Sequence, residues 1–248
     1  MAGLDWLTAR PVAHRGLHDS GKSIVENTPS AFKAAIEGTY AIECDLRLSA
    51  DGEAMVFHDR TLERLTESRG EVITRTAADL GQVVFKGTRD RMLTLPQLCD
   101  LVGGRVALLL EMKGEFDGDR RLPVRVAEVL RSYSGPVAVM SFDPDQIAGL
   151  IAVAPGLPRG IVAERHYDHS EWAALTAGRR FSLAHLLHAA RTRPHFIAYA
   201  VNDLPAAAPL AARWLFGLPL LTWTVRTDAQ RACARRWADQ MIFEGFRP

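Results

Sequence analysis

The amino-acid sequence predicts an α/β protein of the (β/α)8 TIM-barrel class. Short β-branched or apolar runs alternate with longer segments of helical periodicity, a pattern typical of a parallel sheet wrapped by helices. Eight runs of strand length fit within 248 residues, which is the size of one such barrel. With 48% hydrophobic and 24% charged residues the chain can bury one large core, so we expect a single domain over residues 1–248.

Eight segments are predicted as barrel strands because each is a short apolar run, and several end at an ionisable residue. In chain order they span residues 11–14, 41–45, 106–111, 137–141, 159–163, 196–200, 220–225 and 240–244. The predicted helices between them span residues 28–37, 95–102, 122–132, 144–153, 182–191, 205–216 and 229–238. Asn27, Asp143 and Thr227 stand where helix caps are expected, and a proline follows closely after the first two.

Residues 46–91 interrupt this alternation. The run from Ser49 to Gly52 is a turn between two extended segments, so residues 46–58 are predicted to form a β-hairpin that grows out of the second strand. The charged, threonine-rich residues 60–91 then form a small insertion on the barrel rim. The predicted fold is therefore a TIM barrel with a small insertion after strand two.

Charge and cysteine content narrow the classes of partner. A formal net charge of +1 offers no long-range attraction for nucleic acid or an anionic membrane, and the apolar runs are far shorter than the ~20 residues that span a bilayer. Cys44, Cys99 and Cys233 are scattered in apolar surroundings and look like buried thiols of a reducing compartment. The N-terminus lacks a basic region followed by a long apolar one. We expect a cytoplasmic protein without nucleic-acid partners or stable membrane insertion; a homo-oligomer remains open.

Three carboxylates stand at the ends of predicted neighbouring strands. Glu43 and Asp45 are two residues apart and so face the same side of strand two, while Glu111 ends strand three. In a barrel these side chains would meet at the C-terminal mouth, where such enzymes keep their sites. Clustered oxygen ligands suit a hard divalent cation, Mg²⁺ or Ca²⁺. The alternative for any one of these acids is a simple ion pair with a nearby Arg or Lys.

Two histidines and two cations accompany these acids. His14 closes the first predicted strand and His58 closes the hairpin, so one could act as general base and the other as general acid. Arg15 and Lys113 add fixed positive charge at the same mouth, which suits a phosphate group. The residues themselves therefore predict a metal-assisted reaction on a phosphate ester.

The order of these motifs resembles that of the glycerophosphodiester phosphodiesterases, a family of the PI-phospholipase-C-like phosphodiesterases. The matching motifs are His14-Arg15-Gly16, Glu26-Asn27-Thr28, Glu43-Cys44-Asp45, Asp51-Gly52 leading to His58-Asp59, and Glu111-Met112-Lys113, followed by Ser141-Phe142 and Thr222-Trp223-Thr224-Val225. The resemblance runs essentially end to end. Five motifs in the right order and spacing are far more specific than any one of them.

The resemblance implies a (β/α)8 barrel that hydrolyses glycerophosphodiesters to glycerol 3-phosphate and an alcohol with the help of a divalent cation. It assigns the metal to Glu43, Asp45 and Glu111, acid-base catalysis to His14 and His58, and phosphate binding to Arg15 and Lys113. It also implies that the glycerol 2-hydroxyl attacks phosphorus to give a cyclic phosphate, which water then opens.

Three further residues have supporting roles with alternatives. Glu26 could bond to Arg15 or to a metal ligand, or could be an acid that favours helix entry. Trp223, which ends strand seven, is expected to pack against the glycerol moiety rather than serve only as core. Glu244 stands where many family members carry an Asp in a Thr-Asp-x-Pro context, so it could support the site with a longer reach and puts substrate choice in question.

Two alternative functions remain. A related enzyme on the same barrel could act as a lysophospholipase D or cleave a sugar phosphodiester. A barrel without catalysis could serve as a binding module, although the intact His14, His58 and acidic motifs disfavour it.

Overall fold

The computed structural model describes residues 3–169 and 172–248. Within those ranges the strands are β1 Val12–Ala13, β2 Ala41–Leu48, β3 Ala54–Val56, β4 Leu108–Met112, β5 Val137–Ser141, β6 Arg159–Ala163, β7 Phe196–Ala200, β8 Leu220–Val225 and β9 Gln240–Phe243. They lie in one sheet in the order β1-β9-β8-β7-β6-β5-β4-β2-β3. Parallel pairing of β1 with β2 closes eight of these strands into a barrel, which confirms the predicted fold class.

The connecting segments carry the predicted helices with few changes. The α-helices are α1 Asp5–Thr8, α2 Pro29–Glu37, α3 Ala77–Leu80, α4 Leu95–Val102, α5 Arg121–Leu130, α6 Pro144–Val153, α7 Ala177–Ala184, α8 Ala189–Thr192, α9 Ala207–Phe216 and α10 Asp228–Trp237. Asp143 accepts a hydrogen bond from the amide of Asp145, and Thr227 forms a capping box with Gln230, as their positions predicted.

Two local predictions are wrong. A single helix over 182–191 does not form, because Leu186 has a φ of 57° and a left-handed residue cannot continue a right-handed helix. The chain divides there into α7 and α8. Asn27 is not the cap of α2 either: Thr28 holds that position, and the Asn27 side chain bonds elsewhere.

Apolar residues pack on both sides of the barrel wall. Val12, Leu109 and Ile242 fill the interior together with Leu7 of α1. The outer faces of the strands pack against the surrounding helices, as Phe32 of α2 does in the cluster that also contains the β2, β4 and β5 side chains. Period-two alternation therefore sends every second strand residue inward, where the site is built.

The predicted hairpin after the second barrel strand is present. β3 runs antiparallel to β2 with Leu46 opposite Val56, and Gly52 takes the positive φ of 85° that the turn requires. The residues beyond it fold over their own apolar cluster. Its buried members are Met55, Phe57, Leu62, Val72, Leu80, Val83, Phe85 and Met92.

In the part of the chain that the structure describes, no helix combines the length and apolarity needed to cross a bilayer. Cys44, Cys99 and Cys233 are free thiols; the first two are buried and the third is half-buried.

Candidate active site

The three predicted carboxylates come together where β2 pairs with β4. The parallel register places Asp45 beside Glu111, with Glu43 one pleat further back on the same face. One oxygen of each carboxylate lies within 4.8 Å of one oxygen of each of the others. All three side chains are buried, so the barrel holds a concentrated negative charge away from bulk water.

Asp45 is held ionised by its neighbours. Lys113 Nζ lies 2.9 Å from Oδ1, while Arg15 Nε lies 3.3 Å from Oδ2 and Asn27 donates its amide to Oδ2 at 2.9 Å. Burial alone would raise the pKa of Asp45, but the charges of Lys113, His58 and Arg15 outweigh it and hold the pKa well below its usual range. Asn27 is thus a site residue that the sequence analysis interpreted as a helix cap.

Glu43 is in the opposite situation. Its Oε2 accepts the backbone amide of Arg15 at 2.9 Å, but its buried Oε1 has no hydrogen-bond partner among the described residues. Burial, together with the charges of Asp45 and Glu111, raises the pKa of Glu43 well above its usual range. An unpartnered oxygen in an acidic cluster is a good position for a cation ligand.

Lys113 connects two of the acids. Its Nζ also lies 2.6 Å from Glu111 Oε1, so one ammonium group bridges Asp45 and Glu111. Although burial acts to lower it, the pKa of Lys113 is raised by these two carboxylates. The side chain therefore carries a permanent positive charge beside the acidic cluster.

His14 stands next to this cluster and is oriented by Glu244. Its Nδ1 lies 2.6 Å from Glu244 Oε2, and its Nε2 lies 3.9 Å from Glu43 Oε2. Because a carboxylate only accepts, Nδ1 donates and Nε2 is the nitrogen that faces the acids. Burial lowers the pKa of His14 to about 4, so the ring is neutral at pH 7. Glu244 also contacts Arg226 and His18.

His58 follows the hairpin and is tied to Arg15 through a chain of ion pairs. Its Nδ1 lies 2.7 Å from Asp59 Oδ1, and Arg64 spans from Asp59 at 2.9 Å to Glu26 at 2.7 Å. Glu26 in turn accepts from Arg15 Nη1 at 2.6 Å. Glu26 therefore bonds to Arg15, which is one of the two roles that the sequence left open for it. Arg64 was not predicted as part of the site.

A tight turn places Arg15 in the cavity wall. Arg15 has a φ of 55° and Gly16 a φ of 78°, both in the left-handed region. A Cβ at Gly16 would lie 2.9 Å from Ala31, so only glycine fits between this turn and α2. The turn brings the backbone amide of Arg15 to Glu43 and its guanidinium to Asp45.

A cavity of about 980 Å³ opens at the barrel mouth beside this cluster of side chains. His14, Arg15, Glu43, His58, Glu111, Lys113 and Trp223 all line it. Trp223 is half-buried: its indole N–H donates to the Ala198 carbonyl at 3.2 Å, and its ring lies 5.4 Å from that of Phe142. The ring is thus fixed as one wall of the cavity.

The opposite wall contains acids that the sequence analysis missed. Glu164 directly follows β6 and Asp203 lies just beyond β7, and both line the cavity. The signal was available for Glu164, because it directly follows the predicted strand 159–163, close to where Asp45 and Glu111 end theirs.

The fold is a (β/α)8 barrel, and its mouth brings carboxylates, histidines and cations together in one site. The sequence profile of the glycerophosphoryl diester phosphodiesterase family matches residues 14–245, and the chain belongs to that family. The resemblance inferred from the motifs is thereby confirmed.

Individual relatives agree with this assignment. The chain is 29% identical over 161 residues to the glycerophosphodiester phosphodiesterase of Caldanaerobacter subterraneus, which covers 61% of this chain and 65% of that protein. It is 35% identical over 103 residues to a Mycobacterium tuberculosis protein named "Probable glycerophosphodiester phosphodiesterase 1", covering 37% and 36% of the two chains. These matches therefore span less than two thirds of the relatives' own lengths.

A solved structure is similar over nearly the whole chain. It is a phosphodiesterase of Oleispira antarctica in complex with sn-glycerol-3-phosphate, at a TM-score of 0.76 and 20% identity, covering 96% of this chain and 94% of that one. At this identity the likeness supports the barrel fold.

Proposed function

We propose that the protein hydrolyses glycerophosphodiesters to glycerol 3-phosphate and an alcohol, with a divalent cation and two histidines. The observation that carries the proposal is the cluster of Glu43, Asp45 and Glu111 at a cavity that His14 and His58 also line. Membership of the glycerophosphoryl diester phosphodiesterase family supports the same substrate class.

The residues present fit a hard divalent cation, Mg²⁺ or Ca²⁺. Three carboxylates supply oxygen ligands only, and the unpartnered Oε1 of Glu43 is an acceptor that a cation would satisfy. Glu43, Asp45 and Glu111 would hold the ion. When bound, the ion would withdraw charge from a phosphoryl oxygen of the substrate.

Arg15 and Lys113 bind the phosphate in this proposal. Both line the cavity and both carry positive charge at neutral pH, because their carboxylate neighbours raise the pKa of each against the effect of burial. Their positive charges sit where negative charge builds on the phosphoryl oxygens as the ester bond breaks. The chain from Arg64 through Glu26 holds the Arg15 guanidinium at its 2.6 Å contact.

His14 and His58 share the proton transfers. One histidine removes the proton of the glycerol 2-hydroxyl as that oxygen attacks phosphorus, and the other protonates the departing alcohol oxygen. Water then opens the cyclic phosphate to glycerol 3-phosphate. Each ring has its Nδ1 fixed by a carboxylate, Glu244 or Asp59, so each presents Nε2 for the reaction.

Domain organisation and location belong to the same proposal. We treat residues 1–248 as one functional unit, with the 46–91 segment supplying His58 and Arg64 to the site.

Three free thiols and no disulfide among the described residues fit a cytoplasmic enzyme.

Phosphorus NMR of the products tests this proposal. Purified protein with Mg²⁺ or Ca²⁺ should convert glycerophosphoethanolamine to glycerol 3-phosphate, and His58→Ala should not. His185→Ala changes an exposed histidine outside the cavity and should behave as wild type. Release of phosphoethanolamine would show cleavage of the other ester bond and refute the proposal. Faster turnover of lysophosphatidylcholine would instead favour the lysophospholipase D alternative.

A further inference from the structure

We propose that the enzyme prefers glycerophosphodiesters whose alcohol carries an ammonium group, and that Glu164, Asp203 and Trp172 bind this group across the barrel mouth from Arg15 and Lys113. The inference rests on the proposed function and adds a class of leaving alcohol to it. The substrate would then be a zwitterion, with phosphate against one wall of the cavity and ammonium against the other.

Barrel topology places the two sets of charges on opposite walls. In the closed ring of parallel strands, β6 lies four strands from β1 and β7 lies four strands from β2, in either direction. Arg15 follows β1, while Glu164 follows β6 and Asp203 ends the 3-10 helix Val201–Asp203 after β7. The cavity therefore has Arg15 on one wall and, facing it, an acidic wall formed by Glu164 and Asp203.

Both acids on this wall are held in place by hydrogen bonds. Glu164 is only 9% exposed, and its Oε1 accepts the indole N–H of Trp172 at 2.6 Å. Asp203 Oδ2 accepts the backbone amide of Arg165 at 2.6 Å. Burial, with added contributions from these two carboxylates, raises the pKa of Tyr167, which shows that both negative charges act on the same small region.

Aromatic rings complete this wall. The Trp172 ring centroid lies 5.0 Å from that of Phe142 and 6.0 Å from that of Phe116, and all three side chains line the cavity. An organic cation at such a wall is attracted by the quadrupole of the aromatic rings and by the full negative charge of the carboxylate beside them. The same cluster already binds one cation, since the Arg179 guanidinium lies 5.0 Å from the Phe116 centroid.

Two arginines that line the cavity, Arg179 and Arg226, pair with acids outside this wall. Arg179 reaches Asp145 at 3.5 Å, and Arg226 reaches Glu244 at 2.7 Å. His166 Nε2 lies 3.9 Å from Asp203 Oδ1. A substrate ammonium group on this wall would meet two carboxylates and the rings of Trp172, Phe142 and Phe116.

Two charge-removing variants test the inference. Glu164→Gln and Asp203→Asn keep the oxygens that accept from Trp172 and Arg165, so they remove charge while preserving the hydrogen bonds. We compare kcat/KM for glycerophosphocholine, glycerophosphoethanolamine and glycerophosphoglycerol. Wild type should favour the two ammonium substrates, and each variant should lower kcat/KM for them by about tenfold while changing glycerophosphoglycerol turnover by less than about twofold.

Glu115→Gln is the matched control. Glu115 also lines the cavity, but it is 43% exposed and pairs with Arg47 at 2.8 Å on the other side. This variant should keep the wild-type preference. Equal kcat/KM for the three substrates in wild type, or an equal loss for all three in both acidic-wall variants, would overturn the inference.

Binding separates this inference from the proposed function. If no diester is hydrolysed, the proposed function fails, and tryptophan fluorescence titrations with glycerophosphocholine and glycerophosphoglycerol in Mg²⁺ still decide the ammonium site. Tighter binding of glycerophosphocholine that disappears in Glu164→Gln supports the site. Equal affinities for the two ligands in wild type refute it.

Discussion

Glu244 Oε2 lies 2.6 Å from Nδ1 of His14, and this contact ties the last strand of the barrel to the first. Burial acts to raise the pKa of Glu244, but hydrogen bonds from His14, His18 and Arg226 hold it well below its usual range. A permanently ionised carboxylate thus fixes the tautomer of His14. Glu244 makes this contact from the position directly after the last strand, β9.

Shortening or removing Glu244 is expected to slow the reaction. Glu244→Leu removes the acceptor of His14 Nδ1 and should lower kcat by about 10–100-fold, with metal affinity unchanged. Glu244→Asp should fall between this variant and wild type, because one methylene less lengthens the contact. Steady-state kinetics measures the loss, and nitrogen NMR of the His14 ring reports the tautomer. A wild-type kcat in Glu244→Leu would remove Glu244 from this role.

Arg64 is expected to matter although it lies outside the cavity lining. It bridges Asp59, the partner of His58, and Glu26, the partner of Arg15. Arg64→Met should lower kcat/KM by about tenfold, because both partners lose their alignment. Arg69→Met, an exposed arginine of the same insertion, is the control and should stay within twofold. Equal kinetics in the two variants would contradict a positioning role.

Glu43 is expected to be a direct metal ligand. Glu43→Gln removes one negative charge from the cluster and should weaken Ca²⁺ or Mg²⁺ binding by at least about tenfold. Calorimetric titration of the purified protein measures the affinity. Glu115→Gln removes a more exposed carboxylate of the same cavity and should leave the affinity unchanged. If Glu43→Gln binds the cation as wild type does, Glu43 is not a ligand.

The buried His188 is expected to destabilise the fold at acidic pH. Both of its ring nitrogens are buried without hydrogen-bond partners among the described residues, and burial, with Arg191, lowers its pKa to about 4. An unfolded histidine titrates near 6.5, so between pH 6.5 and 4 the unfolded chain binds more protons and stability falls as pH drops. In His188→Leu, the decrease in the free energy of unfolding on going to acidic pH should be smaller by about 2 kcal/mol.

Urea unfolding at pH 7 and pH 4.5 measures this effect. The difference between the two free energies of unfolding should be smaller in His188→Leu than in wild type. His185→Leu is the control, since His185 is exposed and stacks on Phe181 at 4.1 Å. The same pH dependence in His188→Leu and wild type would show that His188 does not titrate as proposed.

Much of the barrel could be predicted from sequence because its strands are buried and apolar. The predicted segments 137–141 and 220–225 match β5 and β8 to the residue. The helix predicted over 182–191 was wrong because apolar periodicity continues through Leu186, whereas its left-handed backbone does not. The sign of the φ angle at a single residue cannot be read from the hydrophobic pattern.

The site was predictable where its residues stand on or at the ends of predicted strands. Asp45 and Glu111 end predicted strands and Glu43 faces the same side as Asp45, and the structure brings the three together. Asn27 and Arg64 act through contacts 18 and 38 residues distant in sequence, with Asp45 and Glu26 respectively. Such pairings depend on how loops cross the barrel rim, and a single sequence does not contain that information.

Comparing the rate of glycerol 3-phosphate release from glycerophosphocholine with and without divalent metal tests whether the barrel mouth is a metal-dependent phosphodiesterase site. We expect turnover with Mg²⁺ or Ca²⁺, loss of it to background with excess chelator, and recovery when metal is restored. Hydrolysis that persists unchanged in chelator, or no release of glycerol 3-phosphate with any divalent metal, would contradict a metal phosphodiesterase site at Glu43, Asp45 and Glu111.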